Sequence, residues 1–165
     1  MTVLRDIKRI ENIGDLKKRQ KEGLKYLSDL ECEKIFLSEE VFEIIYLCIN
    51  LYYNSVNAEE KDTGTSKIFY LKSAEKFLKR YFDIKGDGNI FCNDADVLML
   101  IELAACFSIE CLYGESTELL MKVIDNTDVN RDLKKRALEE LFFESEKFLP
   151  LNKVDEYKEI YSDLI

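Results

Sequence analysis

The chain has 165 residues, of which 47% are hydrophobic and 12% aromatic, so it can bury a core of its own and is not a disordered protein. One proline, six glycines and no tryptophan argue against an all-β fold, which needs many turns. The 33 acidic and 24 basic side chains give a net charge of −9, and the lack of histidine removes the commonest general base of enzymes. Lysine outnumbers arginine 18 to 6, a bias typical of bacteria and phages with AT-rich genomes.

The cysteines and the lengths of the apolar stretches predict the compartment in which the protein lies. The five cysteines contain no CxxC pair and follow a charged N-terminal segment without signal-peptide character, so reduced thiols are expected rather than disulfides or zinc ligands. The longest apolar stretches, Val41–Tyr53 and Val97–Ile109, are shorter than a bilayer span and each contains a glutamate. The sequence therefore predicts a soluble cytoplasmic protein that has no membrane segment and no cofactor.

The N-terminal segment is basic. Its first 25 residues carry eight basic side chains against four acidic ones, and a leucine stripe predicts a first helix over Asp15–Leu30. These cations form either an ordinary solvated face or a nucleic-acid-binding surface. The second interpretation is weakened by the lack of interleaved aromatic residues and by the acidic remainder of the chain. A nucleic-acid surface would use Arg5, Lys8, Arg9, Lys17, Lys18 and Arg19.

Two long helices are predicted before residue 85. Ser38 offers a side-chain cap and two glutamates follow it, so a helix is expected to begin there and to continue as the apolar segment Val41–Ser55. Residues 56–66 have almost no apolar side chain, which predicts a flexible loop. The helical pattern returns over Ile68–Phe82.

The chain is organised around Asp96–Asn126. Its first half is apolar on nearly every side, which is typical of a helix buried by its neighbours. Tyr113 and Gly114 interrupt the run before apolar residues resume at helical spacing, so a helix, a tight turn and a second helix are expected. We expect Val41–Ser55 and Asp96–Leu112 to be the two most buried helices.

The remaining helices complete an all-α fold. One is predicted before Pro150, where it stops, and one begins at Asn152. The total is about seven helices in antiparallel pairs, with no strand, in a single domain over residues 1–165. A stack of helical repeats and an irregular bundle are both compatible with this pattern.

The central hairpin, Val97–Asn130, resembles a single tetratricopeptide repeat, which is a helix pair of about 34 residues. The positions that carry the resemblance are Leu100, Leu103, Ala104, Phe107, Ser116, Leu120 and Val123. Ala104 and Ser116 fall where the family places small residues that let the paired helices approach closely. The resemblance implies a stack of helix pairs that binds another protein and performs no chemistry.

Residues 83–94 are similar to the calcium loop of dockerins and EF-hands. The matching ligand positions are occupied by Asp83, Asp87 and Asp94. Lys85 departs from the pattern because it stands where an oxygen ligand belongs. The alternative is a polar turn in which Gly86 and Gly88 permit positive φ and Asn93 or Asp94 caps the next helix. We expect this turn, and no metal.

The acidic side chains are concentrated in the middle of the chain. Residues 83–128 carry ten acidic side chains against two basic ones, a balance of −8. They form either a solvated face or a surface that steers a basic partner protein. We expect a non-catalytic protein-binding protein (an inhibitor, an immunity or anti-defence factor, or an adaptor), with nucleic-acid binding or a calcium module as alternatives. The expected partner-binding residues are Asp96, Glu102, Glu110, Glu115, Glu118 and Asp125.

Overall fold

The structure, a computed structural model, describes residues 2–33, 36–57, 64–148 and 151–164. Within these ranges it is all-helical and contains no strand, which confirms the predicted fold class. The helices are α1 (Thr2–Glu11), α2 (Leu16–Glu31), α3 (Ser38–Asn57), α4 (Gly64–Lys85), α5 (Asp87–Phe91), α6 (Asp94–Ile109), α7 (Tyr113–Asp125), α8 (Arg131–Phe148) and α9 (Leu151–Ile160). A short 3-10 turn follows at Ser162–Leu164. None of the helices described here has the length and apolar character needed to cross a membrane.

The described residues form two helices more than the seven that the sequence predicts, and the additional helices are α1 and α5. Helix α1 is short and crowded with charges, yet it buries Ile7 and Ile10. Helix α5 lies where the sequence predicts a loop, since burial of Ile90 and Phe91 outweighs the low helix propensity of Gly88. Of the loop expected at 56–66, residues 56–57 end α3, residues 64–66 begin α4, and 58–63 lie outside the described residues.

The chain divides into two compact units, Met1–Gly86 and Asp87–Ile165, and the single domain stays a prediction. The first unit is built around α3, which packs along α4 and is contacted by α1 and α2. Nine of the twenty residues of α3 are buried. This helix was expected to be one of the two most buried, and its continuous apolar surface explains why three neighbours can cover it.

Helices α2 and α3 approach closely at Gly23. A Cβ atom at this position would lie 2.6 Å from Leu51 Cδ1 of α3, so only glycine fits without a shift of the leucine. Beside this contact, Gln20 of α2 accepts hydrogen bonds at Oε1 from Ser55 Oγ at 3.0 Å and from Tyr70 Oη at 2.8 Å. Because Ser55 lies on α3 and Tyr70 on α4, Gln20 joins three helices.

The second unit is built around α6. Ten of its sixteen residues are buried. Helix α7 packs along α6, α8 packs on both, and α9 packs on α8. Helix α6 is the other helix expected to be most buried, and it has a larger buried fraction than α3.

The turn between α6 and α7 differs from the predicted one. Cys111 has a φ of 61°, and the Leu112 N–H donates to the Phe107 carbonyl oxygen at 2.8 Å. This closes α6 with a left-handed residue, as at many helix ends. Gly114, expected in the turn, lies inside α7. Ala104 and Ser116, the small positions of the repeat resemblance, are fully buried, and membership of a repeat family stays a prediction.

Candidate protein-binding surface

The predicted acidic residues begin with Asp96, which is buried and only 2% exposed. It lies in the first turn of α6, where Asn93 Oδ1 accepts its backbone N–H at 3.2 Å. The positive end of the helix dipole favours a carboxylate at this place. Asp96 is therefore part of the helix start and is not exposed to a partner, which corrects the expectation from the sequence.

Glu102 lies on the one strip of α6 that reaches the surface. After Asp96, the residues of α6 that are not buried are Leu98, Glu102, Ala105 and Ile109. Because they follow one another at intervals of three or four residues, they share one side of the helix. Glu110 is half-buried in the turn after α6.

The other three predicted acids lie on α7. Glu115 is half-buried, while Glu118 and Asp125 are exposed. Glu118 forms an ion pair with Lys122 at 3.4 Å, and Asp125 accepts a hydrogen bond from Tyr161 Oη at 3.4 Å. Exposed pairs of this kind contribute little stability, but they reduce the charge available to a partner. The predicted acids are thus distributed over α6, the following turn and α7.

A groove between α6 and α8, here called the α6–α8 groove, has a volume of about 330 Å³. It is lined by Ala105, Ser108, Ile109, Glu140, Phe143 and Lys147. Ile109 is 51% exposed and Phe143 is 58% exposed. Two large apolar side chains that share one groove form a patch, and exposed apolar patches mark binding surfaces.

Charged groups border the apolar part of the groove. Glu140 and Lys147 lie three and four residues from Phe143 on α8, so all three share one side of the helix. Lys147 Nζ lies 4.3 Å from the centre of the Phe143 ring, within the range of a cation–π contact. On α6, Glu102 lies one turn before Ala105 on the same strip. The groove therefore has an apolar centre and carboxylates along it.

Below the groove, α8 is held by a buried carboxylate. Glu144 is 1% exposed and accepts hydrogen bonds from Thr117 Oγ1 at 2.8 Å and from the Ser116 hydroxyl. Burial raises the pKa of the Glu144 carboxyl, and hydrogen bonds from Ser116, Thr117 and Ser108 oppose that rise. No basic side chain of the described residues pairs with Glu144. These bonds join α8 to both α6 and α7, so the groove walls are fixed relative to each other.

No family model, no curated protein and no solved structure shows significant similarity to this chain. The groove must therefore be interpreted from its own shape and chemistry.

The groove residues Ile109 and Phe143 were not among the predicted site residues. Ile109 belongs to an apolar run and was expected to be buried with it. Phe143 follows Phe142 directly, and adjacent residues of a helix point about 100° apart. Two consecutive phenylalanines therefore cover a wide arc of a surface helix, and one of them can lie at the edge of that arc and face solvent.

The candidate calcium loop does not form a continuous loop. Asp83 is in the last turn of α4, Asp87 begins α5, and Asp94 begins α6, so most of residues 83–94 are helical. Among the residues that the structure describes, no group of three or more potential metal ligands is close enough to hold an ion. Gly86 has the expected positive φ, at 78°, whereas Gly88 lies inside α5 and does not. Asn93, one of the two predicted cap residues, caps α6.

A second cavity of about 300 Å³ lies in the first unit, against α1, α2 and α3. Its two charged residues already have partners within the protein. Arg19 donates from Nε and Nη2 to the Ile13 carbonyl oxygen, and Glu11 Oε1 accepts from Asn50 Nδ2 at 3.2 Å. Arg19 is thus a structural residue, whereas the other five predicted cations of the N-terminal segment are exposed.

Proposed function

We propose that the protein is a non-catalytic protein-binding protein whose α6–α8 groove holds an amphipathic helix of a basic partner protein. The observation that carries this proposal is the exposure of Ile109 and Phe143 in one groove. An amphipathic helix presents apolar anchors every three or four residues, which is also the spacing along the two walls of the groove. The lack of histidine supports a binding role over catalysis.

The charge of the second unit supports a basic partner. Residues 87–165 carry 18 acidic side chains against 8 basic ones, a balance of −10. Residues 1–86 carry 16 basic against 15 acidic, a balance of +1. The negative field therefore originates from the unit that contains the groove, and such a field accelerates association with a positively charged protein. Glu102 and Glu140 are the carboxylates that would meet the partner's basic side chains.

A protein of this kind acts by covering the surface of its partner. The roles that fit are an inhibitor, an immunity or anti-defence factor, or an adaptor, with the helix pair α6–α7 used as in tetratricopeptide-like proteins. Binding would depend on the apolar anchors for affinity and on the acidic side chains for the rate of association. The two contributions can be separated by mutation.

The test compares groove variants with a matched surface variant. Phe143→Ser and Ile109→Ser remove the groove anchors, while Ile160→Ser removes an apolar side chain that is 67% exposed on α9. Burying the exposed part of Phe143 removes about 100 Å² from water, worth about 2.5 kcal/mol or about 60-fold in Kd. Quantitative pull-downs from source cells identify the partner, and calorimetric titration then measures its Kd for each variant.

The expected result is a basic protein that both groove variants lose and that Ile160→Ser retains. Equal retention by all variants would show that the groove is not the binding surface. Equal loss by all three would indicate non-specific adhesion through exposed apolar groups, and the proposal would fail.

A further inference from the structure

The first two helices place their cations in solvent. Arg5, Lys8 and Arg9 of α1 and Lys18, Lys21 and Lys25 of α2 are all exposed, whereas Asp6, Glu11 and Glu22 of the same helices are half-buried. Up to Lys25, most basic side chains of the two helices are thus more exposed than the acidic ones, while Arg19 is half-buried and Asp29, one turn after Lys25, is exposed. This arrangement is not evident from the charge count of the segment alone.

The cations follow one strip on each helix. Arg5, Lys8 and Arg9 are spaced by three and four residues on α1, and Lys18, Lys21 and Lys25 are spaced by three and four residues on α2. Side chains at these intervals are neighbours on a helix surface, about 5–6 Å apart at Cβ. Each helix therefore presents a row of positive charge.

An ion pair joins the two rows. Arg9 Nη1 lies 2.9 Å from Glu22 Oε2, and Glu22 stands one helical turn from both Lys18 and Lys25. The rows therefore meet at this contact. We call Arg5, Lys8, Lys18, Lys21 and Lys25, together with the Arg9–Glu22 pair, the α1–α2 basic face. None of those five cations has a side-chain ion pair with another described residue.

We propose that the α1–α2 basic face binds the phosphate backbone of double-stranded nucleic acid without sequence preference. Each strand of a duplex carries a phosphate about every 3.4 Å, so cations about 5–6 Å apart in two rows can each neutralise one. The face has no exposed aromatic side chain on which a single strand could stack its bases. Backbone contacts to a duplex need only positive charge and hydrogen-bond donors.

Two alternative polyanions fit the face less well. A membrane-bound helix inserts several apolar side chains, and Leu16 is the one large apolar residue with an exposed side chain on the described parts of α1 and α2. An acidic protein would normally bury apolar contacts at the centre of the interface, and this face has none to offer. The negative net charge of the whole chain argues against nucleic-acid binding, but the excess of acidic over basic side chains lies in residues 87–165.

The test is fluorescence anisotropy of a labelled 20-base-pair duplex titrated with the full chain at several salt concentrations. Neutralising about five phosphates predicts a slope of about −4.5 for log K against log salt, which is about a 100-fold loss between 50 and 150 mM. Replacing Lys18, Lys21 and Lys25 by alanine should reduce the slope to about −2. The matched control replaces Lys134, Lys135 and Arg136, three neighbouring cations of α8, and should leave the slope unchanged.

The expected result is salt-sensitive duplex binding that only the α2 triple variant weakens, by at least tenfold at 50 mM salt. Absence of binding at 50 mM salt, equal effects of the two triple variants, or tighter binding to a labelled single strand or to vesicles with 30% phosphatidylserine would overturn the proposal. Phe143→Ser should bind the duplex as the wild type does, so failure of this proposal is distinguishable from failure of the groove proposal.

Discussion

The buried carboxylate of Glu144 makes a sharp prediction about stability. It is the shared acceptor for hydroxyl groups of α6 and α7, and two of their residues, Ser108 and Ser116, are themselves buried. Glu144→Ala removes the acceptor and leaves two buried donors unsatisfied, and each of them destabilises the folded protein by about 1–3 kcal/mol. The lost burial of the side chain adds about 1 kcal/mol, and release of the buried charge offsets part of the total. We therefore expect a net loss of about 2–4 kcal/mol.

Glu144→Gln separates the hydrogen bonds from the charge. The amide has nearly the same shape, and serine and threonine hydroxyls can donate to its oxygen or accept from its nitrogen. The expected change at pH 7 is therefore less than about 1 kcal/mol, or a gain, because a carboxyl whose charged form is disfavoured by burial is replaced by a neutral group. The two variants should differ by about 2 kcal/mol or more.

The pH dependence has a definite sign. Because burial raises the pKa of Glu144 above its ordinary value of 4.5, the folded protein holds the proton more tightly than the unfolded chain. The carboxyl's contribution to stability therefore falls as pH rises from 4.5 through the raised pKa and is constant above it. Glu144→Gln has no such step, so its stability relative to the wild type should increase with pH over that interval.

The assay is urea unfolding followed by circular dichroism at pH 4 to 8, with hydrogen exchange to localise the effect. With a slope of about 1–3 kcal/mol per molar urea, a loss of 2–4 kcal/mol moves the midpoint by about 1 M or more. Exchange should accelerate in α7 and α8 and stay unchanged in α3. Equal stability of the alanine and glutamine variants, or an unchanged pH profile in Glu144→Gln, would refute the reasoning.

Three further predictions concern packing and titration. Ala104→Leu should destabilise the α6–α7 pair by about 1–3 kcal/mol in thermal melts, because Ala104 is fully buried. Gly23→Ala should cost about 1–2 kcal/mol through its 2.6 Å approach to Leu51, whereas Gly88→Ala, with no atom within 4 Å, should be neutral or stabilising. Burial raises the pKa of Tyr70 to about 12, so its absorbance at 295 nm should titrate near pH 12. Stability should fall as pH rises from the ordinary value of 10 to 12, and Tyr70→Phe should reduce this dependence without abolishing it, because burial also raises the pKa of Tyr26 to about 12.

The helices could be predicted because their signals are local. The apolar periodicity of α3 and α6 is strong, Ser38 begins α3 as the sequence indicates, and Asn93, one of two predicted caps, caps α6. Helix α5 and the left-handed Cys111 were missed because local propensity disfavours both. Tertiary burial of α5 and closure of the α6–α7 turn decide these two cases, and neither can be evaluated from neighbouring residues alone.

The candidate site was predicted less well because it depends on which residues different helices bring together. Asp96 looked exposed because aspartate usually is, and its burial depends on how α6 packs. The α6–α8 groove combines residues more than thirty positions apart, so no local pattern indicates it. The segregation of charge between the two units could be counted from the sequence once their boundary was known.

The contact between Gly23 and Leu51 also has a consequence for how the sequence can change over time. The two positions share one small volume, so a larger residue at 23 is better tolerated once residue 51 has become smaller. Which substitutions are tolerated at either position therefore depends on the residue already present at the other. Among descendants of a common ancestor, this dependence would appear as covariation of positions 23 and 51. Such covariation would reveal the α2–α3 contact from the sequences alone.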